Sequence, residues 1–531
     1  MKIFSQKIHD LYPFLLVLGG GMIMGCTPAP VRAWYLAWVA MIPLWIVVLH
    51  QSGKTSIKKS ISYGCLWGIG YHGLGISWIT GIHPMTWMGV PWGASLAIAS
   101  FCWIFLALAG GFLVALWVLS MAWVDRLLPN SLPSLSPSKL LGKILLGTAL
   151  WCLLEGLFSL GDLWWTSLSY TQSPENLAIL QLGKISGPNT ITAAIVAVNG
   201  LLAAGMMSWQ TQGKKLVAGG LGLLMAVHLV GGFIYNQPIA DAPEQALKIG
   251  IIQGNIPNTI KLYPEGWRKA IAGYTSGYKQ LADQGVVAVL TPETALPFLW
   301  SEQVTSRSEF YRAILDKGVM VWIGGFGREG NRLTNSLFTV TGKGETVSQY
   351  NKFKLVPLGE YIPFEQFIGQ FINRLSPLDA KLQGGRIDQV LDTPLGRVIA
   401  GICYESAFSR HFRRQAAQGG EFIITASNNA HYSPAMPAQH HAQDVLRAVE
   451  VDRWAVRATN TGYSGIVDPH GNTLWLSGIN TYETHAHTIY KRQTQTWYVR
   501  WGDWLTPVLF MSSLMMAIVS ALNSRMPKKI N

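Results

Sequence analysis

The residues best suited to chemistry centre on one cysteine. Cys403 closes the β-rich run Gly396–Ile402, and a polar, helix-capable segment, 406–418, follows at once. A strand-to-helix elbow of this kind presents a thiol at a strand tip, and a helix N-terminus beside it would favour the thiolate, the form that attacks carbonyls. The other four cysteines, Cys26, Cys65, Cys102 and Cys152, lie in long apolar runs and read as small buried residues. Taken alone, Cys403 is more often a core residue than a nucleophile. Its company changes the balance. Glu293 follows the β-rich 287–291 in Thr-Pro-Glu-Thr-Ala, and Lys352 sits in Tyr350-Asn-Lys-Phe-Lys-Leu-Val-Pro-Leu-Gly-Glu-Tyr-Ile-Pro363. Strand ends on one sheet edge converge in space even when far apart in sequence. A carboxylate beside a thiol can take its proton, and a cation can hold the oxyanion of a tetrahedral intermediate. Acyl transfer needs those roles and no metal.

The elements that would position these residues fill 246–500. Short β-rich runs fall at Ala246–Gln253, Gly285–Thr291, Val319–Phe326, Ser336–Val340, Arg397–Cys403, Glu421–Ala426, Ser464–Asp468 and His485–Tyr490. Helical stretches are expected near 266–284, 305–317, 406–418 and 439–452. Interleaving of this kind indicates a layered α/β domain large enough for its own core.

The rest of the chain is of another character. Of 531 residues 49% are hydrophobic and 13% charged, with 22 tryptophans, a membrane protein's balance. The net charge of +13 could suggest nucleic acid, but outside 245–500 the basic residues sit mainly between apolar runs, as membrane orientation requires. Runs of spanning length fall near 11–27, 32–50, 60–81, 90–123, 142–160, 188–209, 215–235 and 504–523. The run 90–123 is either one long helix or two broken at Gly110–Gly111. Lys2 and Lys7, then Lys54, Lys58 and Lys59, then Arg126, Lys139 and Lys143, then Lys214 and Lys215, then Arg525, Lys528 and Lys529 make every second loop basic if 90–123 crosses once. Eight spans with both termini cytoplasmic follow, and 246–500 lies on the far side. The expected domains are a membrane part over 1–240, the α/β part over 246–500 and a last span at 504–523. The Ser/Pro-rich Pro129–Ser138 reads as a cytoplasmic linker. Trp497, Tyr498, Trp501 and Trp504 read as an aromatic belt, as do Trp164 and Trp165.

Several motifs occur together: Gln253-Gly-Asn-Ile-Pro257, Thr291-Pro-Glu293, Tyr350-Asn-Lys352, Leu355-Val-Pro-Leu-Gly-Glu360-Tyr-Ile-Pro363, Cys403-Tyr-Glu405, Ser427-Asn428, Arg457-Ala-Thr-Asn-Thr-Gly462 and Val467-Asp-Pro-His-Gly471. In this order they resemble the bacterial apolipoprotein N-acyltransferases, a membrane branch of the nitrilase (carbon–nitrogen hydrolase) superfamily. The resemblance covers the whole chain. It implies a nitrilase-like α-β-β-α sandwich beside the helical membrane domain, and a Glu293–Lys352–Cys403 triad of general base, oxyanion stabiliser and nucleophile. The Tyr-x-Lys-x-x-Leu-Val-Pro pattern selects Lys352 over Lys354. Tyr404 supplies a second oxyanion donor through its backbone N–H, and Glu360 and Glu405 match supporting acidic positions. The implied reaction passes an acyl chain from a phospholipid to the Cys403 sulfur, then to the α-amino group of a diacylglyceryl-cysteine apolipoprotein. It requires no cofactor, no metal and no nucleic acid, and it places the protein in a bacterial inner membrane with the catalytic domain periplasmic. Leu262 and His431 stand where relatives carry tryptophan and Leu358 where they carry phenylalanine; Leu262, Tyr263 and His431 are the expected substrate-binding positions.

His431, His440 and His441 read as surface or substrate-loop residues rather than metal ligands, because adjacent helical side chains point about 100° apart. Gly324-Gly-Phe-Gly327 reads as a turn. Two rival functions are open: an amidase that releases the acyl group to water, and a transporter or receptor whose far-side domain only binds ligand. The second predicts ionisable residues buried within spans, for which Glu155 and Asp162 are the nearest candidates.

Overall fold

The computed structural model describes residues 2–50, 56–127, 137–301, 308–361 and 382–525. The chain divides into two units, one of residues 1–77, 100–236 and 501–531, the other of 78–99 and 237–500. The linker expected at Pro129–Ser138, together with Lys54, Lys528 and Lys529, falls largely or wholly outside the described residues.

The first unit is helical: α1 Lys2–Gly25, α2 Ile42–His50, α3 Ile57–Gly75, α4 Trp92–Leu127 (its first turns belong to the other unit), α5 Pro137–Phe158, α6 Pro188–Met207, α7 Lys214–Tyr235 and a closing helix Leu505–Arg525. Among the described residues, four helices are long and apolar enough to cross a membrane, at Trp92–Arg126, Lys139–Phe158, Pro188–Met207 and Trp209–Tyr235. Shorter apolar helices lie at Leu11–Gly25, Trp34–His50, Leu177–Ser186 and Leu505–Val519. The run at 90–123 forms one helix, unbroken at Gly110–Gly111. Those glycines serve close packing instead. A Cβ on Gly110 would strike the His72 ring, and one on Gly64 would strike the Ala115 backbone, so α3 and α4 touch through missing side chains. Glu155 on α5 is buried, and it accepts hydrogen bonds from Trp151 Nε1 (3.1 Å), Ser167 Oγ (2.8 Å), Leu168 N (2.9 Å) and Thr192 Oγ1 (3.0 Å). These four donors satisfy the carboxylate within the helical unit. Trp164 and Trp165 are also buried, so neither forms an exposed belt.

The second unit is a two-sheet sandwich. Among its described residues are β1 Ala246–Gln253, β2 Ala288–Leu290, β3 Leu296–Leu299, β4 Met320–Glu329, β5 Arg332–Val340, β6 Thr346–Asn351, β7 Leu391–Thr393, β8 Gly396–Ile402, β9 Phe422–Ser427, β10 Ala455–Thr459, β11 Gly465–Val467, β12 Thr473–Leu476 and β13 Glu483–Tyr490. The first sheet runs β13-β1-β2-β4-β5-β6 with β3 paired to β4, and the second runs β12-β11-β10-β9-β8-β7. Ile249, Ile251, Leu290 and Trp322 from the first sheet meet Ala400, Ile402, Ile424 and Val456 from the second in one buried layer. α8 (Pro264–Asp283) and α9 (Glu309–Lys317) cover the outer face of the first sheet, where Tyr274, Tyr278, Leu281 and Phe310 pack on Val289, Val321 and Ile323. α10 (Ser409–Ala417) and α11 (Ala435–Val451) lie against the second. This is the α-β-β-α arrangement expected from sequence.

Several local expectations change. Gly324–Gly327 is not a turn: it lies inside β4, where a Cβ on Gly324 would strike the Pro292 carbonyl. The glycine lets the Thr291–Thr294 loop rest directly on the strand. The expected helix 406–418 divides into a single turn, Cys403–Ala407, and α10. Tyr498 is not part of a surface belt; it is buried, with its hydroxyl 2.7 Å from Ser409 Oγ.

Candidate active site

The three expected catalytic residues come from two sheets. Glu293 follows β2 and Lys352 follows β6, both in the first sheet, whereas Cys403 ends β8 in the second. The expectation of one shared sheet edge therefore gives way to a site assembled where two sheets face. Lys352 Nζ lies 2.9 Å from Glu293 Oε1 and 2.9 Å from Glu360 Oε2, and all three groups are largely shielded from solvent. The Asn335 side-chain amide donates to both carboxylates, at 2.7 Å to Glu293 Oε1 and 2.9 Å to Glu360 Oε1, while the Asn335 backbone carbonyl accepts from Lys352 N at 2.8 Å. Lys354 is elsewhere, with Nζ 5.0 Å from the centre of the Phe408 ring.

Cys403 is buried with φ of 51°, a left-handed conformation that a side chain adopts at a cost of order 1–3 kcal/mol. Its surroundings hold it there. The buried His440 lies with Nε2 2.7 Å from the Cys403 carbonyl oxygen. That oxygen can only accept, so Nε2 carries the proton and Nδ1 accepts from Asn429 Nδ2 at 3.1 Å. Burial, with help from Arg457, pulls the His440 pKa down to about 3, which keeps the ring neutral. The Asn428 backbone N–H donates to the Cys403 sulfur.

Glu405 joins the two halves of the site. Oε2 accepts from Ile402 N (2.7 Å) at the elbow and from Tyr350 OH (2.8 Å), and Oε1 accepts from Phe353 N (2.7 Å) and Lys354 N (3.2 Å) on the lysine loop. Glu405 is therefore a tie between the Lys352 loop and the cysteine elbow. The quoted motifs act similarly: Asn460 donates to Ile256 O (2.7 Å) and Asn428 Oδ1 (3.0 Å), knitting Gln253–Pro257, Ser427–Asn428 and Arg457–Gly462 together.

The electrostatics differ from the simplest expectation. Burial pushes the Cys403 thiol up to about 12, with Glu293 adding to the rise and Lys352 opposing it. The short turn at Cys403 does not produce a resting thiolate. Burial by itself would raise Glu293, but Lys352, Lys261 and Asn335 outweigh it and hold the carboxyl below its usual range. Burial opposes the Lys352 charge too, yet Glu293 and Glu360 keep it firmly protonated. An ionised carboxylate beside a neutral thiol is a base poised to take the proton as the sulfur attacks.

Of the expected substrate-binding residues, Leu262 and Tyr263 follow the short helix Asn258–Lys261, with Tyr263 exposed. The His431 ring stacks on Trp87 at 6.1 Å, and burial with the Lys261 charge lowers its pKa to about 4. His440 and His441 are not surface residues: both are buried on α11, and His441 Nε2 lies 2.9 Å from Thr473 Oγ1. Two residues of the site went unmarked in the sequence, Asn335 and Lys261, and His440 was marked only as a surface or substrate-loop residue. Lys261 is buried and donates from Nζ to the Glu293 carbonyl at 3.0 Å. Its position directly before Leu262, in the stretch already marked for substrate binding, was the available signal.

Comparison with known proteins identifies the family. The carbon-nitrogen hydrolase family matches residues 248–498, and the apolipoprotein N-acyltransferase N-terminal domain family matches 20–201. An apolipoprotein N-acyltransferase of Nostoc sp. is 57% identical over 489 residues, 92% of this chain and 95% of its own. One of Synechocystis sp. is 49% identical over 526 residues, 94% of this chain and 100% of its own. With a nitrilase-type sandwich, apolar helices and relatives matched over nearly their full length, this chain belongs to the apolipoprotein N-acyltransferase family.

Proposed function

We propose that the protein moves an acyl chain from a membrane phospholipid to the N-terminal amine of diacylglyceryl-cysteine apolipoproteins through a thioester on Cys403. The observation that carries this reading is the buried Glu293–Lys352–Glu360 cluster beside a cysteine held in a strained elbow. In the first half-reaction Glu293 takes the thiol proton as sulfur attacks the ester carbonyl carbon. The Lys352 ammonium and the Tyr404 backbone N–H face the oxyanion. Collapse breaks the ester C–O bond, Glu293 returns the proton to the departing glycerol oxygen, and the thioester remains. In the second, the acceptor amine attacks the thioester carbonyl and Glu293 removes its proton. Collapse then breaks the C–S bond, and the proton returns to sulfur.

Eight membrane crossings, cytoplasmic termini and a periplasmic catalytic domain complete this reading for a bacterial inner membrane. Lipid substrates explain the apolar helices, because both acyl donor and acceptor reside in the bilayer. Leu262, Tyr263 and His431 line the approach. The test is incubation of purified protein with labelled phospholipid and a diacylglyceryl peptide. Labelled peptide is the expected product. Free fatty acid as the main product would favour the hydrolase reading, and no labelled Cys403 at all would refute both.

A further inference from the structure

We infer that Lys261 is a positioning residue of the acyl-transfer site, a second buried cation that balances its carboxylates and lowers the energy of the Cys403 thiolate as it forms. The inference rests on the acyl-transfer reading of Cys403. Lys352 alone faces two carboxylates, Glu293 and Glu360, each 2.9 Å away, and Glu405 also acts on it electrostatically. One ammonium among these groups leaves the site net negative, and a net negative site resists making a thiolate. Lys261 supplies the missing charge. It is buried, its Nζ is anchored 3.0 Å from the Glu293 carbonyl oxygen, and it interacts electrostatically with both Glu293 and Cys403.

A lysine is seldom buried without a compensating partner, and this one reaches a backbone carbonyl rather than a carboxylate. Its location therefore follows from the charge of the site rather than from one ion pair. Burial draws its pKa down to about 8, opposed by Glu293 and Cys403, so the ammonium prevails at neutral pH. The titratable groups facing it are Glu293, Cys403 and His431, and those facing Cys403 also include Lys352, Glu360 and Tyr432.

The test compares full-length wild type, Lys261→Met and Lys261→Arg in detergent. Iodoacetamide alkylation of the Cys403 peptide is followed by mass spectrometry across pH, with thermal melting to confirm folding. Removing one nearby cation is expected to raise the thiol pKa by about one unit, so K261M alkylates about tenfold more slowly at each pH below the titration. K261R stays within about twofold of wild type. A K261M profile that overlays wild type, or a folded K261R as slow as K261M, overturns the proposal. A raised KM for phospholipid with an unmoved alkylation profile also overturns it, marking Lys261 as a substrate ligand instead. If wild type takes no acyl group from phospholipid, the acyl-transfer reading fails, while the alkylation comparison still decides the role of the charge.

Discussion

Replacing Lys352 with methionine separates the two jobs of that side chain. Its ammonium lies 2.9 Å from each of two carboxylates in a buried site. At an effective dielectric of about 20, each contact is worth roughly 6 kcal/mol before desolvation is counted. Breaking a buried pair by deleting one partner costs about 3–5 kcal/mol net, because the remaining charges are left uncompensated. Losing an oxyanion donor lowers the acylation rate by a further factor of about 10²–10³. Glu293 also loses the main influence holding its pKa down, so burial raises it and the base protonates. Glu360→Gln in the same chain removes one orphaned charge. K352M/E360Q should therefore melt at a higher temperature than K352M while remaining about as inactive. The assay is single-turnover labelling of Cys403 by radioactive phospholipid, alongside melting in the same detergent. A K352M protein that acylates at the wild-type rate, or a double variant that recovers activity with stability, would falsify the assigned role.

Three further outcomes are expected. Cys403→Ser should abolish the acyl adduct seen by intact mass spectrometry without disturbing the fold; an adduct of unchanged yield would move the nucleophile elsewhere. His440 has its pKa lowered from 6.5 to about 3 by burial, so the unfolded chain binds the extra proton and the contribution to stability is lost as pH falls below about 6.5. Between pH 7 and 5 that loss is about 2 kcal/mol, and His440→Phe should narrow the gap between melting temperatures at the two pH values accordingly. Glu155→Leu should destabilise the helical unit by about 1–3 kcal/mol, because the buried Trp151 indole N–H and Leu168 N–H lose their acceptor; unchanged melting would show that the carboxylate is not the strut described.

The chemistry was more legible in the sequence than its scaffold. Glu293, Lys352, Cys403, Glu360 and Glu405 fall within one connected network, and it was the resemblance of the combined motifs to a known family, more than any single residue, that marked them. What escaped had a physical reason. β6 (Thr-Val-Ser-Gln-Tyr-Asn) is a polar edge strand, and β10 carries Arg457 in a fully buried run, where Asp444 and Ser427 Oγ satisfy it. Neither shows the apolar signature of a strand. Gly324 looked like a turn because the need for close backbone approach is invisible until Pro292 lies against it. The thiolate suggested by the elbow did not survive burial, an effect that no local pattern reports. His440 and Asn335 are ordinary residues whose importance comes from partners far along the chain.

Glu293 and Lys352 belong to one sheet and Cys403 to the other, so on the proposed reading neither half of the sandwich holds the whole site. During synthesis roughly fifty residues separate Lys352 from Cys403, and the chain must still add β9 and β10 before the second sheet can close over the first. On the proposed reading the site is complete only once both sheets are in place and Glu405 ties the lysine loop to the elbow.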